Sequence, residues 1–124
     1  MGELEANRRL FFVHWHAEEA LRLARALQEL GWSVVVEHGE HEVKLKDLKV
    51  APPRAILISL QREPASGRDM ADALWSVKWM RGTPIIFFDG EKKFVDRLRA
   101  RFPRAVFTSW KELPHALNDL LSAG

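Results

Sequence analysis

The stretch from Ile56 to Gly90 constrains the fold more than any other: ILISLQREPASGRDMADALWSVKWMRGTPIIFFDG. An apolar run, a Pro/Ser/Gly loop, an amphipathic run and a second apolar run follow one another within 35 residues. That length and order suit a β-α-β unit with parallel strands. The polar loop then falls at the carboxyl end of a strand, where open α/β sheets keep their sites.

The rest of the chain repeats the pattern. Strands are expected at Leu10–His14, Ser33–Glu37, Ala55–Leu60, Pro84–Phe88 and Ala105–Thr108. A first helix starts near Ala17, with Glu18 and Glu19 favourable in its first turn. Its expected buried stripe is Ala20, Leu21, Ala24, Leu27 and Leu30. Gly31 stands where a left-handed residue would end it. Residues 38–53 read poorly; Val43, Leu45, Leu48 and Val50 suit a short helix near Lys44–Lys49 or an irregular connection. Right-handed crossover geometry needs cover for the sheet there, and Pro52–Pro53 stops any helix.

A third helix is expected at Arg68–Arg81, with Met70, Ala73, Leu74, Val77 and Arg81 on one face. A fourth is expected at Glu91–Phe102, burying Phe94, Val95, Leu98 and Phe102. A fifth is expected at Pro114–Ser122, with Leu113, Leu117, Leu120 and Leu121 inward. The expectation is one α/β domain over residues 1–124, a three-layer αβα sandwich on a five-stranded parallel sheet. Apolar strands such as IIFF and AILI indicate a sheet covered on both faces. The expected strand order is 2-1-3-4-5.

Composition excludes several classes. The chain has 124 residues, 47% hydrophobic and 29% charged, as in soluble globular proteins. The absence of cysteine removes disulfides, thiol catalysis and Cys-zinc sites, and fits the cytoplasm. No signal-peptide pattern opens the sequence, and no apolar run reaches the ~18 residues that span a membrane. A net charge of +2 gives no global field for nucleic acid. Few Asn and Gln, with Arg exceeding Lys, match proteins of hot environments; a GC-rich bacterial genome gives the same bias.

Four groups of residues carry candidate chemistry. In the loop after the third strand, Ser66 with Asp69 forms a capping box for the third helix. Gly67 permits close approach, and Arg62 and Arg68 bring charge to helix N–H groups that could hold an anion. The plainer alternative is a capped helix whose arginines pair with Glu63 or Asp69. No Walker or dinucleotide glycine fingerprint is present, so no cofactor is expected.

Among the histidines, His14 and His16 follow the first strand, and His38 and His41 the second. They could offer nitrogen ligands to Zn²⁺, Ni²⁺ or Cu²⁺, but their spacing matches no zinc motif. His14, His16, Ser59 and Asp89 should line the strand-end crevice, where a His base is conceivable. Trp75 and Trp79, one turn apart, could anchor a partner or a second copy, or simply pack beneath a neighbouring helix. Lys93, Arg97, Arg101 and Arg104 recur at helical spacing and could meet an acidic protein or nucleic acid. Glu91 and Asp96 could instead neutralise them as a solvated face.

Pro64 and Gly67 in the loop, with Thr83–Phe88 (TPIIFF) as the fourth strand, resemble response-regulator receiver domains over nearly the whole chain. The resemblance implies the (βα)₅ fold and a place in signalling. It also implies sites that this sequence does not fill. Receivers place an acidic pair after the first strand to hold Mg²⁺; His14, Trp15 and His16 stand here. Their phosphoacceptor Asp corresponds to Leu60, beside Ser59. Their Ser/Thr after the fourth strand corresponds to Asp89, and their Lys after the fifth has only Lys111 as a loose counterpart. The resemblance therefore implies a receiver-like protein-interaction module without phosphotransfer. The GRD loop (Gly67–Asp69) and TSW segment (Thr108–Trp110) are also similar to small uncharacterised bacterial proteins.

Overall fold

The computed structural model describes residues 8–38 and 45–123. Five strands form one parallel sheet: β1 (Arg9–Val13), β2 (Ser33–Glu37), β3 (Ala55–Ser59), β4 (Ile85–Phe88) and β5 (Val106–Thr108). Their order is β2-β1-β3-β4-β5, as expected from the sequence. The helices are α1 (Ala17–Glu29), α2 (Leu45–Val50), α3 (Pro64–Ser76), α4 (Lys92–Arg101) and α5 (Leu113–Ala123).

Period-two alternation divides the strand side chains between two apolar layers. On one face, Phe11, Val13, Ile56, Ile58, Ile85 and Phe87 pack against Leu48 of α2, Ala71 and Leu74 of α3, and Leu98 of α4. On the other, Leu10, Phe12, Leu57, Ile86 and Phe88 pack against Ala20, Ala24 and Leu27 of α1 and Leu113 and Leu117 of α5. Every residue of β3 and β4 is buried, which explains their unbroken apolar runs.

Three expectations are corrected. In α1, Leu21 and Leu30 are exposed, at 56% and 54%, while Leu23 is half-buried. The buried stripe is the narrower Ala20, Ala24 and Leu27, because small alanines let the helix sit close to the sheet. Gly31 follows Leu30 with φ +99°, the left-handed end expected of it. The second correction concerns α3. It starts at Pro64, whose fixed φ suits a first helical turn. It stops at Ser76, because Val77 is extended and Lys78–Met80 forms a separate 3₁₀ turn. Its buried face is Gly67, Ala71 and Leu74; Ala73 is exposed.

Third, the Ser66–Asp69 capping box does not form. Glu63 occupies the N-cap without a side-chain bond to the helix N–H groups, and Ser66 lies inside the helix, its hydroxyl donating to Glu63 Oε1 at 3.3 Å. The remaining strand and helix ends shift by a residue or so, as helix and strand ends commonly do.

Candidate functional site

The carboxyl ends of β1, β3 and β4 meet at the sequence-predicted crevice, and side chains fill it. His14, directly after β1, is 1% exposed. Its Nδ1 accepts the His16 N–H at 3.2 Å, so the neutral ring carries its proton on Nε2. That nitrogen lies 3.5 Å from Glu19 Oε1. Burial lowers the pKa of His14 below its ordinary value, against the opposing pull of Glu19.

Glu19 binds in turn to Arg62, whose Nε and Nη2 donate to Oε2 at 3.3 and 3.0 Å. Burial acts to raise the Glu19 pKa. The Arg62 hydrogen bonds and the electrostatic pull of His14, Arg62 and Arg22 outweigh it and hold the carboxyl below its usual value. Arg62 makes this contact from a left-handed backbone, φ +68°. A non-glycine residue there costs roughly 1–2 kcal/mol, offset in part by the clamp on Glu19. The first turn of α1 and the β3–α3 loop are thus tied together.

Asp89 mirrors Arg62 across the crevice. It too is left-handed, at φ +63°, and its Oδ1 accepts the Trp110 N–H at 3.1 Å. Its own N–H donates to Thr108 O at 2.9 Å. The carboxylate therefore holds the β5–α5 loop. Between the two ties lie Ser59, fully buried, and Leu60, 2% exposed. Ser59 Oγ accepts the Gln61 N–H at 3.2 Å. Leu60 packs against Gly90, where an added Cβ would lie 2.7 Å from the Leu60 Cβ. Gly90 has φ +96°, so two constraints exclude a side chain there.

The anion candidates disperse. Arg62 is committed to Glu19, and Arg68 pairs with Asp69 at 3.2 Å on the exposed surface of α3. Gly67 faces the sheet, with an added Cβ 3.0 Å from Ile58, so its small size serves packing. A cleft of about 600 Å³ does open beside the crevice, lined by Leu60, Gln61, Arg62, Pro64, Gly90, Glu91 and Phe94. Its lining includes neither His14, Ser59 nor Asp89.

The histidine candidates also separate. His16 caps α1, its Nδ1 accepting the Glu19 N–H at 3.3 Å. His38 is half-buried after β2, and His41 lies outside the described residues. Among the described residues no three His, Asp or Glu side chains group as metal ligands would.

Trp75 and Trp79 do not share a helical face, since the helix ends between them. Both are half-buried against the α2–α4 layer. Trp75 donates to Thr83 O at 2.9 Å and meets Phe102 edge-on, with Arg104 over its ring at 5.0 Å.

The basic stripe divides likewise. Arg101 forms a bidentate pair with Asp72 of α3, at 2.7 and 3.1 Å. Lys92 pairs with Asp96 at 2.9 Å, and Arg99 lies over Phe107. Lys93 and Arg97 are exposed and form no ion pair among the described residues.

Sequence reasoning missed three residues of this site. Glu19 was read only as a helix-dipole partner; its match to Arg62 lies 43 positions away. Trp110 and Gly90 were missed as well. The Asp89–Gly90 pair carried a signal for a tight left-handed turn.

Neither a family model nor a curated protein matches the sequence. Among solved structures, the chain is similar to a response regulator signal receiver domain from Bermanella marisrubri. The TM-score is 0.68 at 18% identity, over 92% of this chain and 98% of that one. The fold is flavodoxin-like, of the receiver kind. Among the described residues no helix is long and apolar enough to cross a membrane.

Proposed function

We propose that this protein is a receiver-like interaction module that works in cytoplasmic signalling or regulation without accepting a phosphoryl group. The observation that carries the reading is Leu60. It stands buried at the end of β3, where the receiver resemblance calls for the phosphoacceptor, and it fits against a glycine that tolerates no side chain. The neighbouring polar groups are engaged with one another: His14 with Glu19, Glu19 with Arg62, Asp89 with Trp110. A leucine offers no nucleophile, and a neutral histidine is no substitute for the oxygen ligands that Mg²⁺ requires.

The interaction surface is the exposed side of α4 with β5. It offers Lys93 and Arg97, exposed and in no ion pair among the described residues. The partner is an acidic protein surface, with self-association as the alternative. The test compares wild type with a Lys93→Glu/Arg97→Glu double variant in crosslinking from extract with and without nuclease treatment, at low and high salt. The reading predicts a discrete crosslinked protein, lost at high salt and lost in the variant. An identical crosslink pattern for the variant would overturn it, and dependence on intact RNA or DNA would favour nucleic-acid binding instead.

A second reading keeps a small-molecule or anion site at the strand ends. The cleft beside Arg62 favours it. It predicts a thermal shift with phosphate or a nucleotide that Arg62→Ala removes.

A further inference from the structure

A second cleft lies on the opposite face of the sheet, away from the strand-end loops' shared crevice. It has a volume of about 290 Å³ between the end of α1 and the start of α5. Ala26, Leu27, Leu30, Trp110, Leu113 and Pro114 form its apolar lining, with Lys111 the one charged residue. The volume is near the lower bound for small-molecule pockets, which are typically apolar with a few placed polar groups.

The walls are held in place. Leu27 and Leu113 are core residues. The Trp110 ring packs on Phe88, with centroids 5.7 Å apart, and its backbone is held by Asp89. The Leu113 N–H donates to Trp110 O, and the Glu112 N–H to Ser109 Oγ, so the short loop into α5 is internally bonded. Leu30 leaves 54% of its surface exposed at the end of α1, which costs hydration that an occupant would relieve. Lys111 forms no ion pair, and the Trp110 indole N–H forms no hydrogen bond, among the described residues. Both unused groups are donors, and one is cationic.

We infer that this cleft is a binding site for a small amphipathic carboxylate, with an aromatic or short aliphatic body against Leu30, Trp110 and Leu113 and its carboxylate on Lys111. The site shares no lining residue with the cleft beside Arg62 and none with the α4 surface.

The probe is 3-phenylpropionate, compared with 3-phenylpropanol and 3-phenylpropylamine as neutral and cationic counterparts. Binding is followed by the indole N–H resonance of Trp110, assigned by its loss in Trp110→Phe. The carboxylate should produce a saturable shift with a Kd on the order of 1 mM, given the modest affinity available to so small a ligand. Lys111→Gln should weaken it about five-fold, as for a solvent-exposed ion pair. Ala26→Phe should fill the cleft and abolish the shift while the protein keeps its melting temperature within a few degrees. No saturable shift, equal affinity for all three probes, or undiminished binding to Ala26→Phe would each overturn the inference.

Discussion

Replacing Leu60 separates a packed strand end from an accessible one. Leu60 is 2% exposed and meets Gly90 from one side and Gly67 from another. Leu60→Ala removes three carbons from a close-packed site and should cost about 2–4 kcal/mol, the range for such truncations. Leu60→Asn is nearly isosteric but strands a buried amide, adding about 1–3 kcal/mol. Leu60→Asp at pH 7.5 must also bury a carboxylate with no cation assigned to it; Arg62 is already taken by Glu19. Burial raises such an Asp pKa, so its folded state binds more protons than its unfolded state. Its stability relative to Leu60→Asn should then improve on acidification, by up to about 1.4 kcal/mol per pH unit. Urea unfolding of the three variants at pH 7.5 and 5.5 measures this. Equal stability of the Asp and Asn variants at pH 7.5, or an Ala variant as stable as wild type, would refute the packing.

Acid should weaken the tie between the first turn of α1 and the β3–α3 loop. Burial depresses the His14 pKa, so its contribution is complete above its ordinary value near 6.5 and lost as pH falls through the folded value. The Glu19 pKa is also depressed, because the Arg62 bonds outweigh burial, so its contribution is lost at lower pH. Urea midpoints should fall from pH 7.5 to 5.5, and His14→Gln should flatten that fall; a rise would contradict the sign. Gly90→Ala should destabilise by about 2 kcal/mol or more, since it adds left-handed strain to a contact with the Leu60 Cβ, and a thermal melt equal to wild type would contradict it. Trp75→Phe should cost about 1 kcal/mol for the lost bond to Thr83 O, readable by urea unfolding, while leaving α4 crosslinking intact.

The fold was legible because it rests on period-two and helical patterns that are local. IIFF and AILI could be little else than covered parallel strands. α3 was misjudged because Ser66–Gly67–Arg68–Asp69 carries strong cap chemistry. Pro64 offered a competing start, and packing of Gly67 onto Ile58 settled it. The end of the same helix was set too late for a related reason. Helical spacing assumed a helix through Val77, yet burial of Met80 accompanies a break there. His14, Ser59 and Asp89 stand at the carboxyl ends of β1, β3 and β4, which follows from the strand pattern alone. The occupancy of the crevice was not legible, because Glu19 and Arg62 meet only through tertiary structure, and a leucine at the end of β3 reads the same whether exposed or packed.

Incubation with a small phosphodonor and Mg²⁺, followed by intact-mass and peptide analysis, tests the central claim most directly. The wild-type protein should gain no phosphoryl group while a competent receiver domain in the same tube is labelled. Stoichiometric labelling of this chain, at Ser59, Asp89 or elsewhere, would contradict a receiver fold that acts without phosphotransfer.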